Sequence, residues 1–239
     1  MKTINILLNL LYPERCPLCG RIRPYGEMAA CRDCVGKLKP VVAPGCMKCG
    51  KTIENESEEY CRDCRTVPKS FKRGFPAFLY EGAIKSSLYD FKYKNQRNYA
   101  EFYADSILGI YGREIKKAGV DGIIPVPVHP RKRKKRGYNQ AELLAKALGR
   151  RLGIRVYSHY LERCENTSPQ KELNDKERLK NLKNAFKIRQ NEIKLEKVLL
   201  VDDIYTSGAT IEACTRVLLP AGTHTVYYTS VAIGRGYSG

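Results

Sequence analysis

The stretch "VLLVDDIYTSGAT", residues 198–210, runs from an apolar segment into two adjacent carboxylates and then into residues with almost no bulk. The apolar run has the composition of a strand buried on both faces, as parallel sheets require. Such a strand delivers Asp202 and Asp203 to its carboxyl end, where open α/β sheets bind ligands. Thr206, Ser207, Gly208, Ala209 and Thr210 then turn the chain into a helix. Small side chains let backbone amides approach an anion, and the free N–H groups at a helix start favour phosphate. The three hydroxyls add donors. The loop therefore suits a phosphate monoester. The carboxylates suit a ribose, whose 2′ and 3′ hydroxyls can donate to them directly or through Mg²⁺-bound water. A plain strand–turn–helix with solvated acids is the bland alternative, and it leaves the mutual repulsion of the two acids unexplained.

The surrounding pattern fits an α/β fold with a mostly parallel sheet flanked by helices. Strands are expected at 75–80, at "GIIPVPV" (122–128), at "KVLLV" and at "HTVYYTSVAI". Helices are expected over 83–93, 99–117, 139–152 and 209–219, where Ile, Leu, Phe and Tyr recur at helical spacing. His129 is a catalytic base by position only, and with proline beside it a loop-shaping role fits better.

Upstream lies a different module. Eight of ten cysteines form four C-x-x-C pairs, Cys16/Cys19, Cys31/Cys34, Cys46/Cys49 and Cys61/Cys64, each starting 15 residues after the last. "CPLCG" answers "CMKCG", and "CRDC" occurs twice, so the unit is a 30-residue repeat. Four thiolates in this spacing suit tetrahedral Zn²⁺. Consecutive pairing gives two closed, structural zinc sites, one per repeat; interleaved pairing would waste the repeat symmetry. Disulfides are the alternative in an oxidising compartment. Cys164 and Cys214 stand alone. "GCMKCGKT" (45–52) satisfies a phosphate-loop pattern. However, prolines precede it, a polar run follows it, and two of its residues are better used as zinc ligands. The expected division is 1–70, an N-terminal helix and double zinc ribbon, and 71–239, the α/β domain.

The chain of 239 residues carries a net charge of +18. Residues 1–64 hold 10 basic and 8 acidic residues, so nearly all of the excess falls in the larger part. That excess suits an anionic partner, such as nucleic acid, a membrane surface or a polyphosphate; solubility alone is the bland reading. No apolar run approaches the roughly 20 residues of a membrane span. The start, "MKTINILLNLLYP", reads as a short amphipathic helix without a cleavage site, so a cytoplasmic location is expected. "RKRKKR" (131–136) exceeds what one diphosphate needs, and Lys132, Lys134 and Lys135 are candidates for DNA contact. "FKYKNQRNYAEFY" (91–103) mixes aromatic and basic residues as single-strand binders do. The alternative for that stretch is an amphipathic helix whose aromatics are core.

"VLLVDDIYTSGAT" resembles the 5-phosphoribosyl 1-diphosphate (PRPP) motif of type I phosphoribosyltransferases. With "PVPVHPRKRKKRGYNQAELLAKAL", "RCENTSPQKELNDKERLKNLKNAF" and the "CPLC" start, the chain resembles the ComF family of competence proteins. That family joins a double zinc ribbon to a transferase-like domain. The resemblance implies PRPP and Mg²⁺ at Asp202, Asp203 and Thr206–Thr210, with a loop over Val128–Tyr138, carrying Arg131, Arg136 and Gly137, receiving the diphosphate. It implies a flexible loop over Arg163–Asn181 carrying Thr167, Gln170, Arg178 and Asn181, with Arg178 beside the two aspartates as catalytic residues. It also implies a role in natural transformation: handling imported single-stranded DNA with the competence ATPase, near the membrane uptake machinery. A phosphoribosyltransferase acting on an unidentified nucleobase or other acceptor, releasing pyrophosphate, is the alternative.

Overall fold

The computed structural model describes residues 13–23, 29–41, 43–53, 55–164, 185–189 and 194–235. Its centre is a four-stranded sheet of β1 (Arg73–Leu79), β2 (Gly122–Pro125), β5 (Lys197–Tyr205) and β6 (Thr225–Ile233). The strand order is β1-β6-β5-β2, and every pairing is parallel. A short antiparallel pair, β3 (Leu161–Arg163) and β4 (Phe186–Ile188), stands apart and was not foreseen from the sequence. The segment expected as a strand over 122–128 pairs only through Pro125, and Val126 gives the last ladder hydrogen bond, to the Val201 carbonyl at 2.9 Å. Prolines at 125 and 127 lack the N–H that a longer ladder needs.

Because side chains alternate along a strand, each strand feeds two cores. Leu199 and Val201 join Phe75, Ile123 and Val231 against three helices: α3 (Gly82–Tyr93), α4 (Tyr99–Ala118) and α6 (Gln140–Leu152). Phe91, Tyr103, Ile107, Leu144 and Leu148 fill that layer. Val198 and Leu200 join Ile124, Val226 and Tyr228 on the other face, under α7 (Ala209–Leu218). The aromatics of 91–103 thus divide. Phe91, Tyr99, Phe102 and Tyr103 are core, whereas Tyr93 is exposed.

The basic run is not a loop. It forms α5 (Pro130–Arg136), with Pro130 at its start and Gly137 in the left-handed region (φ 78°) closing it. Proline is pre-set for a first turn and glycine for a C-terminal cap. His129 caps the start, its Nδ1 accepting from the Arg131 amide at 3.2 Å.

The two cysteine repeats straddle the sheet's edge. Cys16 and Ala30 pack on the face of α3 and α4; Cys46, Cys49, Cys61 and Cys64 pack on the face of α7. Between them the chain crosses the edge strand β1. The Val41 amide donates to the Ala77 carbonyl (2.9 Å), and the Leu79 amide to the Lys39 carbonyl (3.1 Å). This covers an edge that would otherwise be open to association. The helices α1 (Arg32–Val35) and α2 (Arg62–Thr66) each begin at the third cysteine of a repeat. The expected N-terminal helix lies outside the described residues.

The second repeat is bonded into the core: the Tyr228 hydroxyl donates to the Cys49 carbonyl at 2.7 Å. Tyr228→Phe leaves that buried carbonyl unpaired. The expected cost is about 1–3 kcal/mol of stability, read as a lowered denaturant midpoint at unchanged zinc content.

Candidate functional site: a charged cleft at the sheet's open corner

β5 continues to Tyr205, so Asp202 and Asp203 lie inside a strand rather than at its tip. They border an open cleft because β2 stops short, and the sheet is open on one side from Val201 onward. Alternation then separates the neighbours. Asp203 follows Leu199 and Val201 toward α3, where Lys92 Nζ meets its Oδ2 at 2.9 Å. Asp202 follows Val198 and Leu200 toward the opposite face. Its Oδ1 accepts from the Asp203 amide at 2.8 Å. The pair thus serves two walls of one cleft from within the strand, which lowers the repulsion expected from sequence adjacency.

The cleft, about 160 Å³, is lined by Lys92, Lys132, Arg136, Arg163, Gln140, Asp202, Asp203 and Thr210 among others. Arg136 is fixed by donating to Gln140 Oε1 (2.9 Å) and to the Tyr93 hydroxyl (3.1 Å). Two buried donors, Gln140 Nε2 and Arg163 Nε, have no hydrogen-bond partner among the described residues. Buried donors are rarely left unmatched, so their presence in a cleft calls for an acceptor. The charges bear this out. Burial, then Arg136, Arg163 and Lys92, pull Lys132 below its usual range. Burial alone also opposes the charge of Lys92, but Asp203 and then Asp202 overcome it and raise Lys92. Such a cleft suits an anion on its basic wall and hydroxyl donors on its acidic one.

The small-residue loop adjoins it. Gly208, at φ 76°, ends the loop, and a Cβ there would lie 2.1 Å from the Tyr205 hydroxyl. Only glycine fits both constraints. Ser207 Oγ accepts from the Ala209 amide at 3.4 Å. Behind the loop, Lys69 Nζ donates to the Ser207 carbonyl (3.1 Å). Glu212, 1% exposed, accepts from the Ser70 amide and hydroxyl at 2.7 and 2.8 Å. The linker after the second cysteine repeat thus holds both the loop and the first turn of α7.

The cleft lining gathers Lys132, Arg136, Asp202, Asp203 and Thr210 of the residues expected from the sequence. Arg131, Lys134, Lys135 and Gly137 lie exposed along or just after α5, and Thr206 is exposed at the loop. Thr167, Gln170, Arg178 and Asn181 lie outside the described residues. Lys92 and Gln140 were missed, and Arg163 was expected only as the start of the closing loop. Lys92 sits on a helix more than a hundred residues before its partner, and no local pattern marks it.

The cysteines form two groups, Cys16, Cys19, Cys31 and Cys34, and Cys46, Cys49, Cys61 and Cys64, with the sulfurs of each group within 4.8 Å of one another. Pairing is therefore consecutive. Measured Sγ–Sγ separations include 3.4 Å for Cys19–Cys31 and 3.6 Å for Cys49–Cys61. A tetrahedral Zn²⁺ with bonds of about 2.3 Å sets sulfurs roughly 3.8 Å apart, so both sets fit zinc. The phosphate-loop pattern at 45–52 is accounted for otherwise: Cys46 and Cys49 are ligands, and Lys51 is paired with Asp63 at 2.5 Å.

Fold and sites define a class: a parallel α/β protein with an acidic, cation-walled cleft, fronted by two four-cysteine zinc sites. The Double zinc ribbon domain family matches residues 7–65. Across the wider chain, the relatives include proteins named for competence and for DNA utilization. The protein is 28% identical over 228 residues to Competence protein F of Haemophilus influenzae, covering 91% of this chain and 96% of that one. It is 28% identical to the DNA utilization protein YhgH of Salmonella typhimurium, at 91% and 96% coverage. It is 26% identical to Competence protein ComFC of Bacillus subtilis, at 80% and 78%. A purine phosphoribosyltransferase from Pyrococcus horikoshii is a structural neighbour. It is 14% identical, with a TM-score of 0.34, over 56% of this chain and 88% of that one. No described helix is long and apolar enough to cross a membrane.

Burial, and then the charge of Asp203, push the Asp202 carboxyl up to about 7. Between its unfolded value of about 4 and that value, the folded chain holds a proton that the unfolded chain has lost. Stability therefore falls as pH rises through this window and levels off above it. Asp202→Asn keeps the oxygen that accepts from the Asp203 amide. It should raise the melting temperature over wild type at about pH 8 and lose most of that gain at about pH 4. Thermal melts across pH test this, and an advantage independent of pH would contradict it.

Proposed function

We propose that this protein handles single-stranded DNA and binds PRPP with Mg²⁺ in the cleft. Its action would be that of a competence-type factor of the cytoplasm, working with a DNA-processing ATPase near the uptake machinery. The names of its relatives, competence and DNA utilization proteins, support the DNA role. The observation that supports the ligand is the pair of buried donors, Gln140 Nε2 and Arg163 Nε, without a partner among the described residues, in a cleft that also holds Asp202 and Asp203. Diphosphate oxygens would complete the donors. Ribose hydroxyls would donate to the aspartates, directly or through Mg²⁺-bound water. Mg²⁺ would add positive charge beside the diphosphate, and Thr206–Thr210 would take the 5-phosphate. Arg131, Arg136 and Gly137 are assigned to the diphosphate. Thr167, Gln170, Arg178 and Asn181 are assigned to a segment that closes on it. The proposed units are 1–70 and 71–239.

A second reading is catalytic. A cleft with cations facing a leaving diphosphate can stabilise the charge that develops as C1 is attacked, so a phosphoribosyltransferase reaction belongs in the same test.

Calorimetry should detect PRPP binding that needs Mg²⁺, with ribose 5-phosphate weaker. Changing Asp202 and Asp203 together to Asn should abolish the binding at unchanged zinc content. Equal binding by wild type and double variant would reject the site. Pyrophosphate released with free bases would favour the catalytic reading. For DNA, Lys132→Ala, Lys134→Ala and Lys135→Ala combined remove up to three phosphate contacts, which should flatten the salt dependence by about 2 log units per log unit of salt. An unchanged slope would take DNA off α5.

A further inference from the structure

One face of α3 does not match an ordinary solvated helix. Ile84, Ser87, Leu88 and Phe91 are buried against the core. On the opposite side, where charged residues are the rule, stand Tyr89 and Tyr93, 57% and 53% exposed. They are four residues apart, and therefore neighbours on the helix surface. Their ring centroids lie 4.9 Å apart at 47°. Single exposed apolar residues are unremarkable, but two exposed rings in contact form a surface. A cation completes it, for the Arg136 guanidinium lies 4.9 Å from the Tyr93 centroid.

The neighbourhood is basic. Residues 131–135 of α5, five consecutive cations, are exposed. Lys85, one turn before Tyr89, is exposed as well. The acid on α3 nearest these rings, Asp90, is paired with Lys94 at 2.9 Å. A ligand covering this region therefore meets two aromatic faces with cations at both ends. That is the composition of a single-strand binding surface, where bases stack on rings and phosphates follow the charge. A duplex hides its base faces and cannot use the rings.

We propose that Tyr89 and Tyr93, backed by Arg136, are a stacking platform for the bases of single-stranded nucleic acid whose phosphates follow α5. This rests on the DNA reading above and gives it a second, uncharged component. It also links two sites. Arg136 touches Tyr93 through its Nη2 and ring contact and lines the cleft through the same side chain. A diphosphate that draws Arg136 inward therefore takes the cation away from the platform.

The test separates stacking from charge. Fluorescence anisotropy would follow binding of a short labelled oligothymidylate and of an abasic strand of the same length, at several salt concentrations. Wild type should prefer the strand with bases. Tyr89→Ala with Tyr93→Ala should weaken oligothymidylate binding roughly tenfold, with the salt slope and abasic binding unchanged. Tyr89→Phe with Tyr93→Phe keeps both rings and should stay within about twofold of wild type. It thereby controls for any folding defect in the alanine variant. Adding PRPP with Mg²⁺ should weaken oligothymidylate binding in wild type by a larger factor than it weakens abasic binding, because it takes Arg136 from the rings as well as from the phosphates. Equal affinity of wild type for the two strands, or a base preference that survives the alanine changes, would overturn the platform. Failure of wild type to bind either strand at low salt would instead remove the DNA reading, and the platform with it.

Discussion

The structure depends on the seat of the second zinc ribbon against the α7 face of the sheet. Cys46, Cys49, Cys61 and Cys64 are core residues here, sharing a cluster with Phe71, Tyr205 and Tyr228. The Tyr205 and Tyr228 rings are stacked at 4.7 Å, and Phe71 meets Tyr228 edge-on at 5.1 Å. Lys48 Nζ donates to the Phe71 carbonyl at 2.8 Å, and the Gly74 amide donates to the Lys48 carbonyl at 2.8 Å. Gly74 has no freedom to change, since a Cβ would fall 2.2 Å from the Tyr228 ring. Zinc supplies the binding energy that so short a segment lacks in hydrophobic core. That energy is then transmitted through aromatic contacts to the strand that carries the aspartates.

The same contacts reach the loop of residues 206–210. Tyr205 closes against Gly208, Lys69 holds the Ser207 carbonyl, and Ser70 holds Glu212 at the first turn of α7. The ribbon is thus a brace for the loop, and the linker after Cys64 is the strut. The first ribbon packs on the other face, away from the loop. The two repeats are near copies in sequence but have different mechanical roles.

Much of this was legible in the sequence because it is local. Period-3.6 patterns marked α3, α4, α6 and α7 to within a residue or two, and the cysteine repeat marked the metal sites. The acidic pair with its small-residue loop marked one wall of the cleft. What was not legible depends on distance. Lys92, Gln140 and Arg163 enter the cleft only once α3, α6 and β3 are packed around β5. The reading of "RKRKKR" as loop missed α5 because six like charges disfavour an isolated helix. Here Pro130, His129 and Gly137 cap both ends.

The central claim is that zinc in the second ribbon, and not in the first, holds the loop of residues 206–210. Amide hydrogen exchange of residues 206–212 measures this directly in Cys31→Ser and Cys61→Ser, each verified to have lost one zinc. Protection of these amides should survive in Cys31→Ser and be lost in Cys61→Ser, while α4 stays protected in both. Equal protection of the loop in the two variants would contradict the account.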